Sequence, residues 1–541
     1  MEDTNEKETK ILKNRIFLYI TEFFAGMAVM AVELGASRLL APYFSSSQIV
    51  WTIIIGTIMI AMAAGNLYGG RSADKDPNPD KLYMRIVIAA IWIAVIPVLG
   101  KYIIVFISGA LVLTINTGFL VIAAFIACMV IFVFPLFLLG TVTPSLVKYT
   151  TSNLEDNGKV VGTLGAANTI GSIIGTFLPT FVTIPAVGTA VTFLVFSGII
   201  LLIGIIYFVC VRRNMVRLAV FLIVFVLCAI LGNKSNFAFW EKNLVYEGES
   251  IYNYTQVKED ENSVSLSTNV MFGVQSVALK KAGLTGMYYD YAMAAPVAAG
   301  VDEKKCDVLV LGMGTGTFAK QCNYFFGSDK LNIRGVEIDD KISGLAEKYF
   351  GAKGNAEVTT YDGRAFIKVD KEKYDVIMVD AYQDITIPFQ MSSREFFEEV
   401  YAHLKEDGVM VVNLNMRAEG AKDSINDYMC DTIASVFPDV QTVDVKYSTN
   451  RELFATKKKG SFEGRFGSGI SKINVPQLRE FMSMIEYDIT PYKKGDKLLT
   501  DDQAPVELLG MREIDLIIKK ELEYYKKVYE EKGLNGLLNS M

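Results

Sequence analysis

The sequence predicts a chain in two parts. An N-terminal multi-span α-helical membrane domain of seven or eight spans is followed by a small β-rich subdomain and a Rossmann-like α/β domain. Three observations predict this. Apolar residues are segregated into residues 1–233 of the 541. Beyond residue 240, short apolar strands alternate with helical stretches. The first of those strands runs into a glycine-rich turn, LVLGMGTGT at 309–317. The expected domains are 1–233 in the membrane, 240–300 as the β subdomain, 301–515 as the α/β domain and 516–541 as a C-terminal helix.

Apolar runs of spanning length lie near 15–37, 48–69, 83–99, 118–142, 161–183, 187–208 and 216–232. About 20 apolar residues cross a hydrocarbon core of roughly 30 Å. The stretch YIIVFISGALVLTINT at 102–117 reads as an eighth span, a re-entrant segment or an interfacial helix. The first run is too long for a signal peptide, and further spans follow it. The number of spans decides the sides of the membrane. Lys7, Lys10, Lys13 and Arg15, with Arg71, Lys75, Lys81 and Arg85, favour a cytoplasmic N-terminus, because cytoplasmic loops collect Lys and Arg. Arg212, Arg213 and Arg217 then fit seven spans better than eight. A nucleotide-like cosubstrate argues for a cytoplasmic soluble half and hence for eight. The expectation follows the chemistry: an integral protein of the cell membrane with its soluble half in the cytoplasm.

Glu33 lies inside the first span, in AVMAVELGASRLLAP at 28–42. A carboxylate in hydrocarbon is costly and faces other helices or a polar cavity. Glu33 is read either as a site for an amine, a proton or a lipid headgroup, or as a packing pin. The small residues of GTLGAANTIGSIIGTFLP at 162–179 permit close helix contact. Formal net charge is −6, from 53 basic and 59 acidic side chains. No basic face suggests nucleic acid as a partner. The single histidine, His403, leaves histidine metal sites and Ser-His triads without support, so no metal is expected. None of the six cysteines forms a CxxC, which suits reduced structural thiols.

In the soluble half, YNYTQVKED at 252–260 and SVSLSTN at 263–269 read as a hairpin-containing subdomain. Strands are then expected at 306–312, 331–338, 356–362, 374–380 and 408–415, with two more at 440–446 and 452–457. Helices fill 316–326, 340–350, 392–404 and 422–435. Continuous apolar strands between helices indicate a sheet buried on both faces. Ligands of such sheets bind beyond the C-terminal strand ends. There the sequence gathers Gly312, Gly314 and Gly316, then Glu337, Asp362 and Asp380. The glycines let a ligand approach the backbone, and the helix start offers free N–H groups. Glu337 is suited to two ribose hydroxyls, Asp362 to an adenine amino group, and Asp380 to the reactive end of the ligand. The bland readings are a tight turn, a solvated charge, an Asp-Gly turn former and a helix cap, respectively. The third glycine of GxGxxG is absent from GMGTGT. With the acids, this favours an adenosyl-sulfonium cosubstrate over NAD, since carboxylates attract a cationic ligand in a cleft.

LGMGTG at 311–316, VEIDD at 336–340, YDGRAF at 361–366 and YDVIMVDAY at 374–382 resemble the spermidine/spermine synthases, the polyamine aminopropyltransferases. YYD at 288–290 and FGVQS at 272–276 resemble two further segments of that family. VELGASRLLAP at 32–42 and TDDQAPVE at 500–507 resemble its membrane-embedded branch. The resemblance implies a methyltransferase-type Rossmann-like fold, and decarboxylated S-adenosylmethionine as cosubstrate with no permanently bound cofactor. It implies an amine acceptor, either a small molecule or a membrane lipid, and a homodimer. It makes Asp380 the base, puts Gln275 near the cosubstrate and Tyr288 along the amine channel. It also implies departures. Thr315 and Phe272 replace aspartates, Gln383 stands where a second aspartate is expected with Asp384 one step on, and Asp290 replaces a glutamate. Asp384, Asp501 and Asp502 are candidates for the missing charge. Two other functions fit the same residues: an S-adenosylmethionine-dependent methyltransferase, and a polyamine transporter or sensor with a nucleoside-binding domain.

Overall fold

The computed structural model describes residues 14–112, 114–115, 118–150, 157–270, 273–381, 387–418 and 423–540. They form two compact units. The first runs up to Trp240 and adds Glu247–Tyr254; the second is Glu241–Tyr246 with Thr255 onward. A boundary near 233–240 would leave Glu247–Tyr254 in the second unit.

The first unit is helical: α1 Arg15–Phe44, α2 Gln48–Lys75, α3 Pro79–Val112, α4 Phe119–Gly140, α5 Val142–Thr150, α6 Asn157–Leu178, α7 Ile184–Val211 and α8 Met215–Leu231. Five helical stretches among the described residues are long and apolar enough to cross a membrane. The last, Asn157–Val211, passes a π turn at Pro179–Thr183 and breaks at Gly188, where φ is 82°. The stretch at 102–117 is no separate element as far as Val112: it continues α3. Helix α8 is apolar but has only 17 residues.

Small residues fix how these helices meet. A Cβ at Gly171 would lie 1.9 Å from the Phe23 carbonyl oxygen, and one at Gly175 2.1 Å from that of Met27. The backbones of α1 and α6 therefore touch. Glu22 is fully buried in this unit, whereas Glu33 is half-buried. Glu22 Oε1 accepts from Thr143 Oγ1 at 2.5 Å and from Asn168 Nδ2 at 2.7 Å, joining α1, α5 and α6.

Next come four strands in sequential order, β1 Leu244–Glu249, β2 Tyr254–Glu259, β3 Ser263–Ser267 and β4 Ser276–Leu279. Two short helices follow, α9 Tyr288–Ala292 and α10 Ala294–Ala299. The α/β layer then alternates: β5 Cys306–Leu311, α11 Thr317–Phe326, β6 Leu331–Glu337, α12 Asp340–Tyr349, β7 Glu357–Thr360, α13 Gly363–Val369, β8 Tyr374–Val379, α14 Arg394–His403, β9 Leu404–Leu414, α15 Ile425–Val436, β10 Asp439–Asp444 and β11 Arg451–Thr456. It closes with α16 Ser461–Ile470, α17 Pro476–Glu486, β12 Thr490–Pro491 and α18 Val506–Ser540. The sheet order is β12-β10-β11-β9-β8-β5-β6-β7. Strands β5 to β9 are parallel, while β11, β10 and β12 add antiparallel.

Every residue of β8 is buried, as expected for a central strand covered on both faces. Strand β9 begins at Leu404 rather than 408, and the last helix at Val506 rather than 516. Helices α13, α16 and α17 are additional to the expected elements. The order reverses around β5, whose neighbours are β6 and β8. Such a reversal opens a crevice at the C-terminal strand ends.

Candidate active site

Strand β5 ends at Leu311 and the chain turns on three glycines. Gly312, Gly314 and Gly316 have φ of 89°, 53° and 77°, a region that disfavours side chains. At Gly312 space forbids one as well: a Cβ would sit 2.4 Å from the Asp380 carbonyl oxygen. The glycine loop thus lies directly against the end of β8. Gly316 then starts α11.

Glu337, the last residue of β6, is buried beside this loop. Its Oε2 accepts from the Gly314 N–H at 2.8 Å, and its Oε1 from the Asp339 N–H at 3.0 Å. Burial raises its pKa, and the backbone donors oppose that rise. Each carboxylate oxygen retains a further lone pair, so the side chain is held in place and can still accept from a diol. Asp362 caps α13, its Oδ1 accepting from the Ala365 N–H at 2.8 Å. The cap occupies one oxygen and leaves Oδ2 for a ligand. Thr315 is buried, its hydroxyl 3.2 Å from that of Thr317.

Asp380 follows β8. Its Oδ2 accepts from the Tyr288 hydroxyl at 2.7 Å and its Oδ1 from Asn413 Nδ2 at 2.9 Å. Burial is the main influence on this carboxyl and pushes its pKa up to about 7. The two hydrogen bonds pull it down, and the charge of Glu337 pushes it further up. A carboxylate in this range is a competent base at neutral pH. Asn413 is itself oriented, its Oδ1 accepting from Asn450 Nδ2 at 2.7 Å. Tyr288 packs against Tyr289 with ring centroids 4.0 Å apart. The Tyr289 hydroxyl donates to the Gln275 carbonyl at 3.2 Å, and the Gln275 side chain accepts from Thr268 Oγ1 at 2.8 Å.

The structure therefore brings Gly312, Gly314, Gly316, Glu337, Asp380, Tyr288 and Gln275 into one connected network. Asp362 stands at the end of the adjacent strand β7. Asp384 lies outside the described residues, as do Phe272 and Gln383. Asp290 is buried and accepts from Thr285, Gly286 and Gln321, so it fastens the turn before α9. Asp501 does not bring free charge to the site: Arg364 grips both its oxygens, at 2.6 and 2.7 Å, and Ser393 donates to it at 2.6 Å. Asp502 is exposed. Asn413 and Asn450 are additions to the expected set. Asn413 sits near the C-terminal end of β9, in VVNLN, so the strand-end rule extended one strand further would have found it.

The chain matches a family model described as "Spermine/spermidine synthase domain" over residues 289–457. It is 47% identical over 353 residues to a Bifidobacterium longum protein named "Probable polyamine aminopropyl transferase", covering 62% of this chain and 78% of that one. It is 29% identical to a "Polyamine aminopropyltransferase" of Vibrio vulnificus, covering 35% of this chain and 63% of the relative. Among solved structures it is similar to a "probable spermidine synthase" from Corynebacterium glutamicum. That match has a TM-score of 0.35 at 17% identity and covers 44% of this chain and 93% of the other.

Proposed function

Since the chain belongs to the spermine/spermidine synthase family, we propose that it transfers an aminopropyl group from decarboxylated S-adenosylmethionine to an amine, releasing methylthioadenosine. The amine nitrogen attacks the methylene next to the sulfonium. The carbon–sulfur bond breaks and its electron pair stays on sulfur. The new ammonium gives its proton to Asp380. The observation that carries this reading is the carboxyl of Asp380, held by Tyr288 and Asn413 against the glycine loop, with its pKa raised to about 7. Alignment of the two reactants and removal of one proton is all the displacement requires.

Glu337 would hold the ribose and Asp362, through its second oxygen, the adenine. Gln275 would lie along the donor, and Tyr288 would line the acceptor channel. Asp384 completes the acceptor-side proposal. The acceptor is a small-molecule or lipid amine, and the chain acts as a homodimer. The helices long and apolar enough to cross a membrane support reading it as an integral protein of the cell membrane, with the catalytic unit on the cytoplasmic side where a nucleoside cosubstrate is made.

Full-length protein in detergent should convert decarboxylated S-adenosylmethionine to methylthioadenosine only when an amine is present. Asp380→Asn should lower kcat by roughly 10² to 10⁴, the usual worth of a general base, while methylthioadenosine still binds. Turnover with S-adenosylmethionine instead would move the assignment to methyl transfer, and no turnover with either donor would overturn it.

A further inference from the structure

We propose that Glu452 is a specificity-determining residue of the acceptor site, supplying the carboxylate that receives the second cationic group of a diamine or polyamine. This rests on the aminopropyl-transfer reading, which makes the substrate an amine.

Glu452 lies on β11 and has no exposed surface. Neither of its carboxyl oxygens has a hydrogen-bond partner. Buried polar groups in folded proteins are paired, and an orphaned one calls for a ligand, a water or a switch. Other acids of this region are satisfied: Asp290 and Asp501 by their own donors, and Glu337 by two backbone N–H groups. Among the described residues, Glu452 is the acid with two idle oxygens beside the base.

Its place in the sheet connects it to the chemistry. In the antiparallel ladder of β9 and β11, Glu452 pairs with Asn413, so the two side chains stand next to each other on one face. Asn413 donates to Asp380 and accepts from Asn450, two residues before Glu452. Across the C-terminal edge of the sheet the order is β5, β8, β9 and β11. The glycine loop, Asp380, Asn413 and Glu452 therefore follow one another in a row. Neighbouring strands are about 4.8 Å apart, so Glu452 stands roughly two strand spacings from Asp380, on the side away from the glycine loop. An amine attacking a donor held at that loop would extend its far end along this row.

Burial, reinforced by the negative charge of Asp380, pushes the Glu452 carboxyl well above the ordinary carboxylate range. Without a cation nearby, burial favours its neutral form. An ammonium group supplies both the missing donors and the opposing charge that favours ionisation. A monoamine has nothing to offer this carboxyl.

The test is calorimetric binding to full-length protein in detergent, saturated with methylthioadenosine. The probes are 1,4-diaminobutane and n-butylamine, which share a chain length and differ by one cationic group. Wild type should prefer the diamine by about tenfold or more, as one well-placed charge-assisted contact allows. Glu452→Gln should bind butylamine like wild type and lose the preference. Glu452→Met, similar in volume and without polar atoms, should do the same. Either variant keeping the diamine preference overturns the proposal, as does equal weakening of both amines or no binding of either by wild type. Because binding is read without turnover, these outcomes are separate from a failure to form methylthioadenosine, which would count against the transfer reading itself.

Discussion

Asp380 is held between opposing demands. Burial favours its neutral form, while the Tyr288 hydroxyl and the Asn413 amide favour its anion. In its proposed role as base it must be ionised, so activity should rise with pH through about 7 and level off above. Stability takes the opposite sign. A carboxyl whose pKa is raised in the folded state contributes stability below its ordinary range, and that contribution is lost as pH rises through about 7. Asp380→Asn should therefore melt no lower than wild type at pH 8, and higher if packing is unchanged, even as its turnover falls. A lower melting temperature at pH 8 would contradict this. Tyr288→Phe removes one of the two hydrogen bonds that favour the anion. The acidic limb of its kcat/KM profile should move to higher pH; a limb that stays in place would show that Tyr288 does not set the pKa. The residue types at the strand ends were legible in the sequence because each chemistry admits few side chains. The network was not: Tyr288 is 92 residues from Asp380 and Asn450 is 37 from Asn413, and only the sheet brings them together.

Elements were legible where burial dictated composition. Strand β8 is buried at every position, and its apolar run could hardly read otherwise. Helices α16 and α17 were missed although Phe462, Phe466 and Ile470, then Leu478, Met482 and Ile485, are their buried residues. That spacing is helical, but glycines and charges between the apolar positions masked it. The pair Asp362-Gly363 read equally as a turn, and the structure makes Asp362 the cap of α13. In the first unit the small-residue reading of 162–179 has a concrete consequence. Gly171→Ala would put a methyl group 1.9 Å from a carbonyl oxygen of α1, so α1 and α6 must separate. Thermal unfolding in detergent should show a loss of several °C, as overpacking costs about 1–3 kcal/mol or more. An equal change at Gly162, which has nothing within 4 Å, should be tolerated. Glu22 escaped notice for the same reason as the network around Asp380: Thr143 and Asn168 are 121 and 146 residues away.

At the scale of the whole molecule, the proposed membrane insertion raises the question of sides. Within the first unit, Tyr207 at the end of α7 donates to Asp80 at the start of α3, and Arg213 pairs with the same carboxylate. Lys148 pairs with Asp74 of α2. One end of the bundle thus gathers the cationic turns. The chain leaves at the other end: Ser235 accepts from Ala190 near the start of α7, and Tyr43 at the end of α1 donates to the Phe237 carbonyl. Helix α8 makes the passage between them with 17 residues, close to the lower limit for a span. The Lys and Arg bias would put the cationic end in the cytoplasm and send the chain out. A cosubstrate made in the cytoplasm demands the reverse. Of the six cysteines only Cys210, next to the cationic end, is exposed, so one natural thiol reports on the matter. If the catalytic unit is cytoplasmic, a membrane-impermeant maleimide should label Cys210 in intact cells, and Cys210→Ser should abolish the label. Labelling only after the cells are broken would place the catalytic unit outside. Aminopropyl transfer would then need a donor supplied across the membrane.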